Sequence, residues 1–292
     1  MTTGDSPAGA RRRLRLAIRR IREATGRTQG QVAEELSWSI SKVNRIETGE
    51  VTISRTDLQA LLRLLDFRDE REAARLLEDA RLSRVRGWWD RPEFRPYLDS
   101  TLRQLVQLES EATAIRSFQF AAFPGLLQIR EYAAAVIDAA FASSSAESRA
   151  ARVDLRMLRQ ENLDKRSSRP MHIVILDEFL LQRIIGGADV TARQLKALTE
   201  SARRPDVCVR LLPKEESVSL FYGAFVLYDV VGETSFLYRE GLSEGVVERS
   251  ETVQQHRAKF DQMWKRCLTE DATLSAVEAQ HAAIRANLER YS

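Results

Sequence analysis

The chain has 292 residues, of which 43% are hydrophobic and 30% are charged, and its formal net charge is +3. This length exceeds the roughly 150 residues of a typical domain and predicts two domains, and the composition is that of a soluble globular protein. No apolar run approaches the ~20 residues that a membrane-spanning helix needs, so the sequence predicts no membrane segment.

The N-terminal segment and the cysteines bear on the compartment. Residues 1–10 are small and polar and lead into Arg11, Arg12 and Arg13 without the apolar core of a secretory signal, which predicts a cytoplasmic protein. Cys208 and Cys267 are the two cysteines of the chain, so neither a disulfide framework nor a CxxC metal clip is predicted. We expect both to be buried thiols, and no cofactor or metal is predicted.

Positive charge is concentrated at the N-terminus. Residues 1–55 hold eleven Arg and Lys against six Asp and Glu, a net +5, whereas the remaining residues sum to −2. A basic N-terminal segment followed by a slightly acidic remainder is typical of a protein in which one domain binds a polyanion. A solvated, arginine-rich helix face explains the charge equally well, so charge alone does not decide.

Apolar residues at three- and four-residue spacing predict five helices in the first 82 residues. They are expected at residues 11–24, 28–36, 39–48, 56–65 and 69–82, with Thr28, Ser39 and Thr56 as N-caps and Gly49 as a stop. The sequence Arg86-Gly87-Trp88-Trp89, followed by Pro92 and Pro96, interrupts this pattern. It predicts a boundary between domains 1–86 and 87–292.

Beyond the boundary the pattern predicts a mixed α/β domain with a small sheet and two terminal helices, so the fold class of the chain is α+β. Strands are expected at residues 114–120, 171–176 and 207–212, and a hairpin at residues 225–230 and 235–238 across Gly232-Glu233. Helices are expected at residues 98–112, 126–141, 149–163, 190–202, 246–268 and 273–288.

Residues 28–49 have the pattern of a helix-turn-helix. Ala33 is the small residue where two helices cross, and apolar side chains lock the helices together at Val32, Leu36, Val43 and Ile46. The segment resembles the Xre/lambda-repressor helix-turn-helix family, which implies an all-α five-helix domain that docks on double-stranded DNA. One departure is Ser37, where that family usually has a left-handed glycine; another residue there costs ~1 kcal/mol.

The resemblance implies a set of DNA-contacting residues. Gln29 starts the first helix of the motif, where the family contacts the DNA backbone, and the second helix reaches base edges in the major groove. By chemistry, Arg45 suits guanine, Asn44 adenine, Ile40 a thymine methyl and Lys42 a phosphate. The predicted DNA-binding residues are Gln29, Ser39, Ile40, Ser41, Lys42, Asn44, Arg45 and Thr48. The alternative, a helical packing unit with no DNA role, is less consistent with the caps, the spacing and the arginine excess.

The C-terminal part carries a second resemblance. The segments that carry it are Ile115-Arg116-Ser117-Phe118-Gln119, Pro124-Gly125-Leu126-Leu127-Gln128, Tyr132, Leu176-Asp177-Glu178, Gly186-Gly187, Arg204-Pro205-Asp206-Val207, Leu211-Leu212-Pro213 and Tyr238-Arg239-Glu240-Gly241. They resemble the large antitoxin-like domain of actinobacterial regulators of the WhiJ kind. This resemblance implies that a small acidic BldB-like partner protein binds the domain and modulates DNA binding. Ile129 departs from the threonine that is frequent in that family.

An enzyme is not predicted. His172, His256 and His281 lie far apart in the chain, and no HExxH, nucleophile elbow or phosphate-binding loop occurs. Gly186-Gly187 lacks the Lys-Ser or Lys-Thr of a phosphate loop and favours a turn. Asp177-Glu178 is consistent with a carboxylate pair or with a helix N-cap.

Two further alternatives stay open at this point. The C-terminal domain of a one-component regulator could sense a small molecule in a pocket lined by residues 221–225 and Tyr228, although such aromatics are also typical of sheet core. Regulators of this type read two half-sites, so a homodimer is expected. Its interface is expected in the C-terminal helices or at Trp88-Trp89, unless these tryptophans are buried at the domain junction. A cytoplasmic, nucleoid-associated protein is the expected location.

Overall fold

The computed structural model describes residues 7–49, 51–85, 88–92, 94–97, 100–216, 223–230, 235–239, 246–248 and 251–290. The chain divides into two compact units, Met1–Arg91 and Pro92–Ser292. The boundary predicted at Arg86-Gly87 lies outside the described residues. Within the described ranges, no helix is long and apolar enough to cross a membrane.

The described part of the N-terminal unit contains five α-helices, as predicted. They are α1 (Pro7–Ala24), α2 (Gln29–Glu35), α3 (Ile40–Thr48), α4 (Arg55–Leu64) and α5 (Glu70–Leu82). Each helix turns an apolar stripe inward, and one core joins all five through residues such as Leu14, Val32, Val43, Leu58 and Leu76. This core fixes α2 and α3 against α1 and α4.

Side-chain caps start four of these helices. Thr28 forms a capping box with Gln31 at α2, and the Ser39 hydroxyl accepts a hydrogen bond from the Lys42 N–H at α3. Asp69 caps α5 in the same way. The cap predicted at Thr56 is wrong, because α4 starts earlier: Ser54 has the extended backbone of an N-cap, and its hydroxyl accepts from the Asp57 N–H at 2.9 Å.

The corrected cap yields a prediction for stability. Ser54→Ala is expected to destabilise α4 by about 1 kcal/mol, because an orphan N–H in the first turn loses its acceptor. Thr56→Ala is the matched control and is expected to change stability by less than about 0.5 kcal/mol. Hydrogen exchange of α4 amides measures both effects, and equal effects would contradict the assignment of the cap.

In the described residues of the C-terminal unit, six strands form one mixed sheet. They are β1 (Ala112–Gln119), β2 (Met171–Asp177), β3 (Val207–Leu212), β4 (Phe225–Val230), β5 (Phe236–Arg239) and β6 (Val246–Glu248). Their order is β3-β2-β1-β4-β5-β6; the first three are parallel, and β4, β5 and β6 join antiparallel. The chain crosses from β1 to β2 and from β2 to β3 through helices, as parallel pairing requires.

Helices cover both faces of the sheet. They are α6 (Ser100–Glu111), α7 (Arg130–Ala140), α8 (Ala146–Asp164), α9 (Ala188–Ala202), α10 (Glu251–Trp264) and α11 (Glu270–Arg290). Val174 and Leu176 pack with residues of α9 and α11, whereas Ile175, on the opposite face, packs with α10 residues such as Phe260. The second unit is therefore mixed α and β with terminal helices, as predicted.

Two predicted helices differ in extent. The helix predicted at residues 126–141 is a 3-10 turn, Gly125–Leu127, followed by α7. The buried Gln194 side chain explains the break, because it binds both the Leu127 carbonyl and the Ile129 N–H. The helix predicted at residues 246–268 starts only at Glu251, and its first residues form β6. Val246 and Val247 are β-branched and favour a strand.

Two smaller predictions can be compared with the structure. β4 and β5 pair antiparallel as the predicted hairpin, with Leu227 opposite Leu237, while the proposed turn at Gly232-Glu233 lies outside the described residues. Cys208 and Cys267 are half-buried rather than buried. Loss of hydration still raises the pKa of each thiol to about 12, so both are protonated at neutral pH.

Candidate DNA interface

One face of α3 is exposed and carries most of the predicted contacts. Val43, Ile46 and Glu47 are buried on the opposite face, and the outward residues follow helical spacing from the start of the helix: Ile40, Ser41, Asn44, Arg45 and Thr48. Ile40 leaves 61% of its surface exposed, although it is a large apolar residue. The face therefore combines polar donors and acceptors with an apolar contact, which is the chemistry needed to read base edges.

The turn between α2 and α3 sets the angle of this helix. Ser37 adopts a left-handed conformation with φ of +53°, as the resemblance implied for this position. The next residue, Trp38, closes the turn by donating its N–H to the Ala33 carbonyl at 2.7 Å. Val32 and Ala33 are buried in the common core, so α2 holds α3 in a fixed orientation.

A buried ion pair ties α1 to α3 and was missed in the sequence. Arg22 binds Glu47 through two hydrogen bonds of 2.6 and 3.0 Å, and their side chains are only 12% and 4% exposed. The hydrogen bond with Glu47 raises the pKa of Arg22, and Arg22 also donates to the Arg27 carbonyl at 2.8 Å. Glu47 lies four residues after Val43, on the buried face of α3, and this spacing was the signal for an internal partner.

Gln29 belongs to the same network. Its amide nitrogen donates to Glu47 at 2.7 Å, so the side chain bridges the start of α2 to the end of α3. Glu47 thus accepts from both Arg22 and Gln29. The structure places Gln29 at the first position of α2, as predicted, and adds an orienting contact that the sequence did not reveal.

Lys42 has two intramolecular contacts that the sequence did not reveal. Its ammonium lies 3.2 Å from the Asp57 carboxylate of α4 and 4.0 Å from the centre of the Trp38 ring. The carboxylate neutralises much of the charge, and the ring fixes its position. The remaining predicted residues have local contacts: Ser39 caps α3, and the Thr48 hydroxyl donates to the Arg45 carbonyl at 3.3 Å.

Family models match both units of the chain. Residues 13–76 match a helix-turn-helix domain, which supports a DNA-binding regulator of the Xre-like type. Residues 102–279, more than half of the chain, match a domain of unknown function, DUF5753. The chain belongs to the DUF5753 family. No curated protein and no solved structure matches it.

Part of the aromatic stretch considered above as a pocket lining lies among the described residues. Phe225 and Tyr228 are buried in different core clusters, and Phe221 and Tyr222 lie outside the described residues. Asp177 is a helix N-cap, because its carboxylate accepts from the Phe179 N–H at 3.0 Å. Gly186 and Gly187 have φ of +74° and +93° in the turn before α9.

The DUF5753 unit does contain a cavity of about 400 Å³ on the face of the sheet that α8 and α9 cover. It lies at the amino ends of β2 and β3, where His172 and Val207 contribute to its wall. His256 and His281 are not in its lining. No group of three or more potential metal-ligating side chains occurs among the residues that the structure describes.

Proposed function

We propose that the protein is a sequence-specific transcriptional regulator that places α3 in the major groove of double-stranded DNA. The observation that carries this proposal is the exposed face of α3, where Ile40, Asn44 and Arg45 lie on one side of a helix whose other side is buried. A rigid helix with such a face presents several side chains to adjacent base pairs at once.

Each predicted residue takes a role in this proposal. Arg45 donates to guanine, Asn44 pairs with adenine, Ile40 contacts a thymine methyl, and Ser41 lies beside them. Phosphate contacts come from Gln29, whose amide is oriented by Glu47, and from Lys42, whose charge is shared with Asp57. Ser39 precedes α3 and Thr48 is its last residue, and both contact the DNA backbone.

The experiment is a selection from a random double-stranded DNA pool with the full chain. We expect a motif to be enriched, because α3 distinguishes base edges. The matched control carries Ile40→Ala, Asn44→Ala and Arg45→Ala, which leaves the buried face of α3 intact. Equal enrichment by both proteins would show that another surface reads the DNA.

We also propose that the regulator acts as a homodimer in the cytoplasm, at the nucleoid. A dimer reads two half-sites about one helical turn, or 34 Å, apart. Trp89 is buried whereas Trp88 is half-buried, so of this pair Trp88 offers the more accessible surface for an interface. A selected motif with two copies at that spacing would support the dimer.

The C-terminal domain, residues 87–292, is proposed to bind a small acidic protein of the BldB-like kind that modulates DNA binding. Two large apolar side chains support this role, because Phe179 and Ile184 are 46% and 52% exposed on one short segment with Arg183 between them. Exposed apolar residues beside a cation suit an acidic partner.

Substitution at this segment tests the partner. Ile184→Asp is expected to reduce capture of a co-expressed small acidic protein of the BldB-like kind at least about tenfold, because it places a charge in an apolar contact. Val85→Asp is the matched control, since Val85 is an exposed apolar residue of the other unit. Co-purification from cells that express both proteins gives the measurement, and equal capture by both variants would contradict this surface.

Sensing of a small molecule by the C-terminal domain is the second candidate function. The cavity beside His172 favours it, because its volume of about 400 Å³ falls within the range of small-molecule sites.

A further inference from the structure

Apolar and polar side chains share the wall of the cavity in the C-terminal unit. It opens between α8, α9 and the segment that follows the 3-10 turn Gly125–Leu127, and its volume is about 400 Å³. Apolar side chains from four different elements face it, among them Ile129, Met157, Leu163, Ala197 and Val207. Such a wall accepts an apolar body of moderate size and releases water when it is covered.

Two polar side chains in the wall have no hydrogen-bond partner among the residues that the structure describes. Within the described part of the chain, neither the His172 ring nor the Ser201 hydroxyl bonds to another residue. Burial is the largest effect on the pKa of His172 and lowers it, and the charge of Arg204 lowers it further. The carboxylates of Glu109, Asp206 and Asp164 raise this pKa by smaller amounts. The ring is therefore neutral at pH 7 and offers one donor and one acceptor. Both groups are available to hydrogen-bond a ligand in the cavity.

The other polar groups of the wall are already used by the fold. The Gln160 amide nitrogen donates to the carbonyls of Gly125 and Gln128 at 2.8 and 2.9 Å. The Gln128 side chain binds Arg156 and the Phe123 carbonyl. These glutamines hold the wall in shape, so a ligand head group must be recognised elsewhere.

Arg169 provides a cation at the same place, and its Nε donates to the Asp164 carbonyl at 3.2 Å. Its guanidinium approaches the carboxylates of Asp164 and Asp206 only at 3.8 and 4.0 Å. Arg204 takes the short contacts to those carboxylates, at 3.0 and 2.6 Å. Arg169 can therefore turn toward an anion without losing a close ion pair.

We propose that this cavity binds a small organic acid, with its apolar body against Met157, Leu163 and Val207 and its carboxylate at Arg169, His172 and Ser201. This assigns a site and a ligand class to the second candidate function. Binding of the acid does not require DNA, so a failure here leaves the proposed DNA-binding function standing.

The probe is octanoate, titrated into the full chain by isothermal calorimetry. Octanoate is expected to bind saturably, and octylamine, which has the same apolar body and the opposite charge, at least about tenfold more weakly. Acetate, which lacks the body, is expected to show no saturable binding. A dissociation constant for octanoate weaker than about 10 mM, or equal binding of the amine, would overturn the proposal.

Three variants locate the binding. Arg169→Gln is expected to weaken the binding of octanoate at least about tenfold. Lys196→Gln removes an exposed charge of α9 outside the cavity and is expected to leave octanoate binding unchanged. Ala197→Trp fills the cavity and is expected to abolish binding. Circular dichroism confirms that each variant is folded. Octanoate binding that withstands both Arg169→Gln and a folded Ala197→Trp would place the acid elsewhere and overturn the proposal.

Discussion

Replacing Arg45 by alanine is expected to weaken binding to the selected DNA motif by about 5- to 150-fold, which corresponds to about 1–3 kcal/mol. Arg45 is exposed in the last turn of α3, on the same face as Ile40 and Asn44. Alanine preserves the helix and removes the two parallel donors that fit the major-groove edge of guanine. The affinity for the selected motif is therefore expected to decrease more than the affinity for random DNA.

A gel-shift titration at one fixed salt concentration measures this loss. Arg68→Ala is the matched control, because it removes the same charge from an exposed position of the same unit. Arg68 follows α4 and pairs with Asp66. We expect Arg68→Ala to retain the preference for the selected motif over random DNA. An unchanged preference in Arg45→Ala would remove Arg45 from the reading face.

Replacing Glu47 by alanine is expected to destabilise the helix-turn-helix by about 3 kcal/mol, a large part of the stability of a small domain. The change leaves the Arg22 guanidinium almost buried without its carboxylate and removes the acceptor of the Gln29 amide. Because Glu47 connects α1, α2 and α3, the three helices lose a shared anchor.

Hydrogen exchange of peptides from α1 and α3 measures the loss of stability in the helical unit without interference from the second unit. A loss of 3 kcal/mol makes exchange roughly 150-fold faster. Glu34→Ala, an exposed glutamate of α2, is the control and is expected to stay within about 0.5 kcal/mol. The double variant Arg22→Met, Glu47→Leu is expected to recover most of the loss, because no charge is left buried. Equal exchange in Glu47→Ala and Glu34→Ala would contradict this account of the ion pair.

The helical unit could be predicted closely because its determinants are local. Apolar spacing located the five helices, and Thr28 and Ser39 cap the helices at which the sequence placed them. Ser37 adopts the left-handed conformation that its place in the motif required. The cap of α4 was misplaced because both Ser54 and Thr56 are good caps, and only packing decides where the helix begins.

The remaining features depend on contacts between residues distant in sequence. Arg22 and Glu47 are 25 residues apart, and nothing in either local pattern identifies the other as its partner. Gln194 breaks a helix 65 residues away by binding the Ile129 N–H. The cavity beside His172 forms where α8, α9 and two strands meet, so it has no signature in any single segment.

The most direct test of α3 as a major-groove reader replaces single guanines of the selected motif by 7-deazaguanine. This base keeps its pairing and its minor-groove edge and loses the N7 acceptor in the major groove. We predict at least one position where the replacement weakens the wild-type protein by about 5-fold or more and leaves Arg45→Ala unaffected. No sensitive guanine in a motif that contains guanine, or an equal loss in both proteins, would contradict the placement of Arg45 in the major groove.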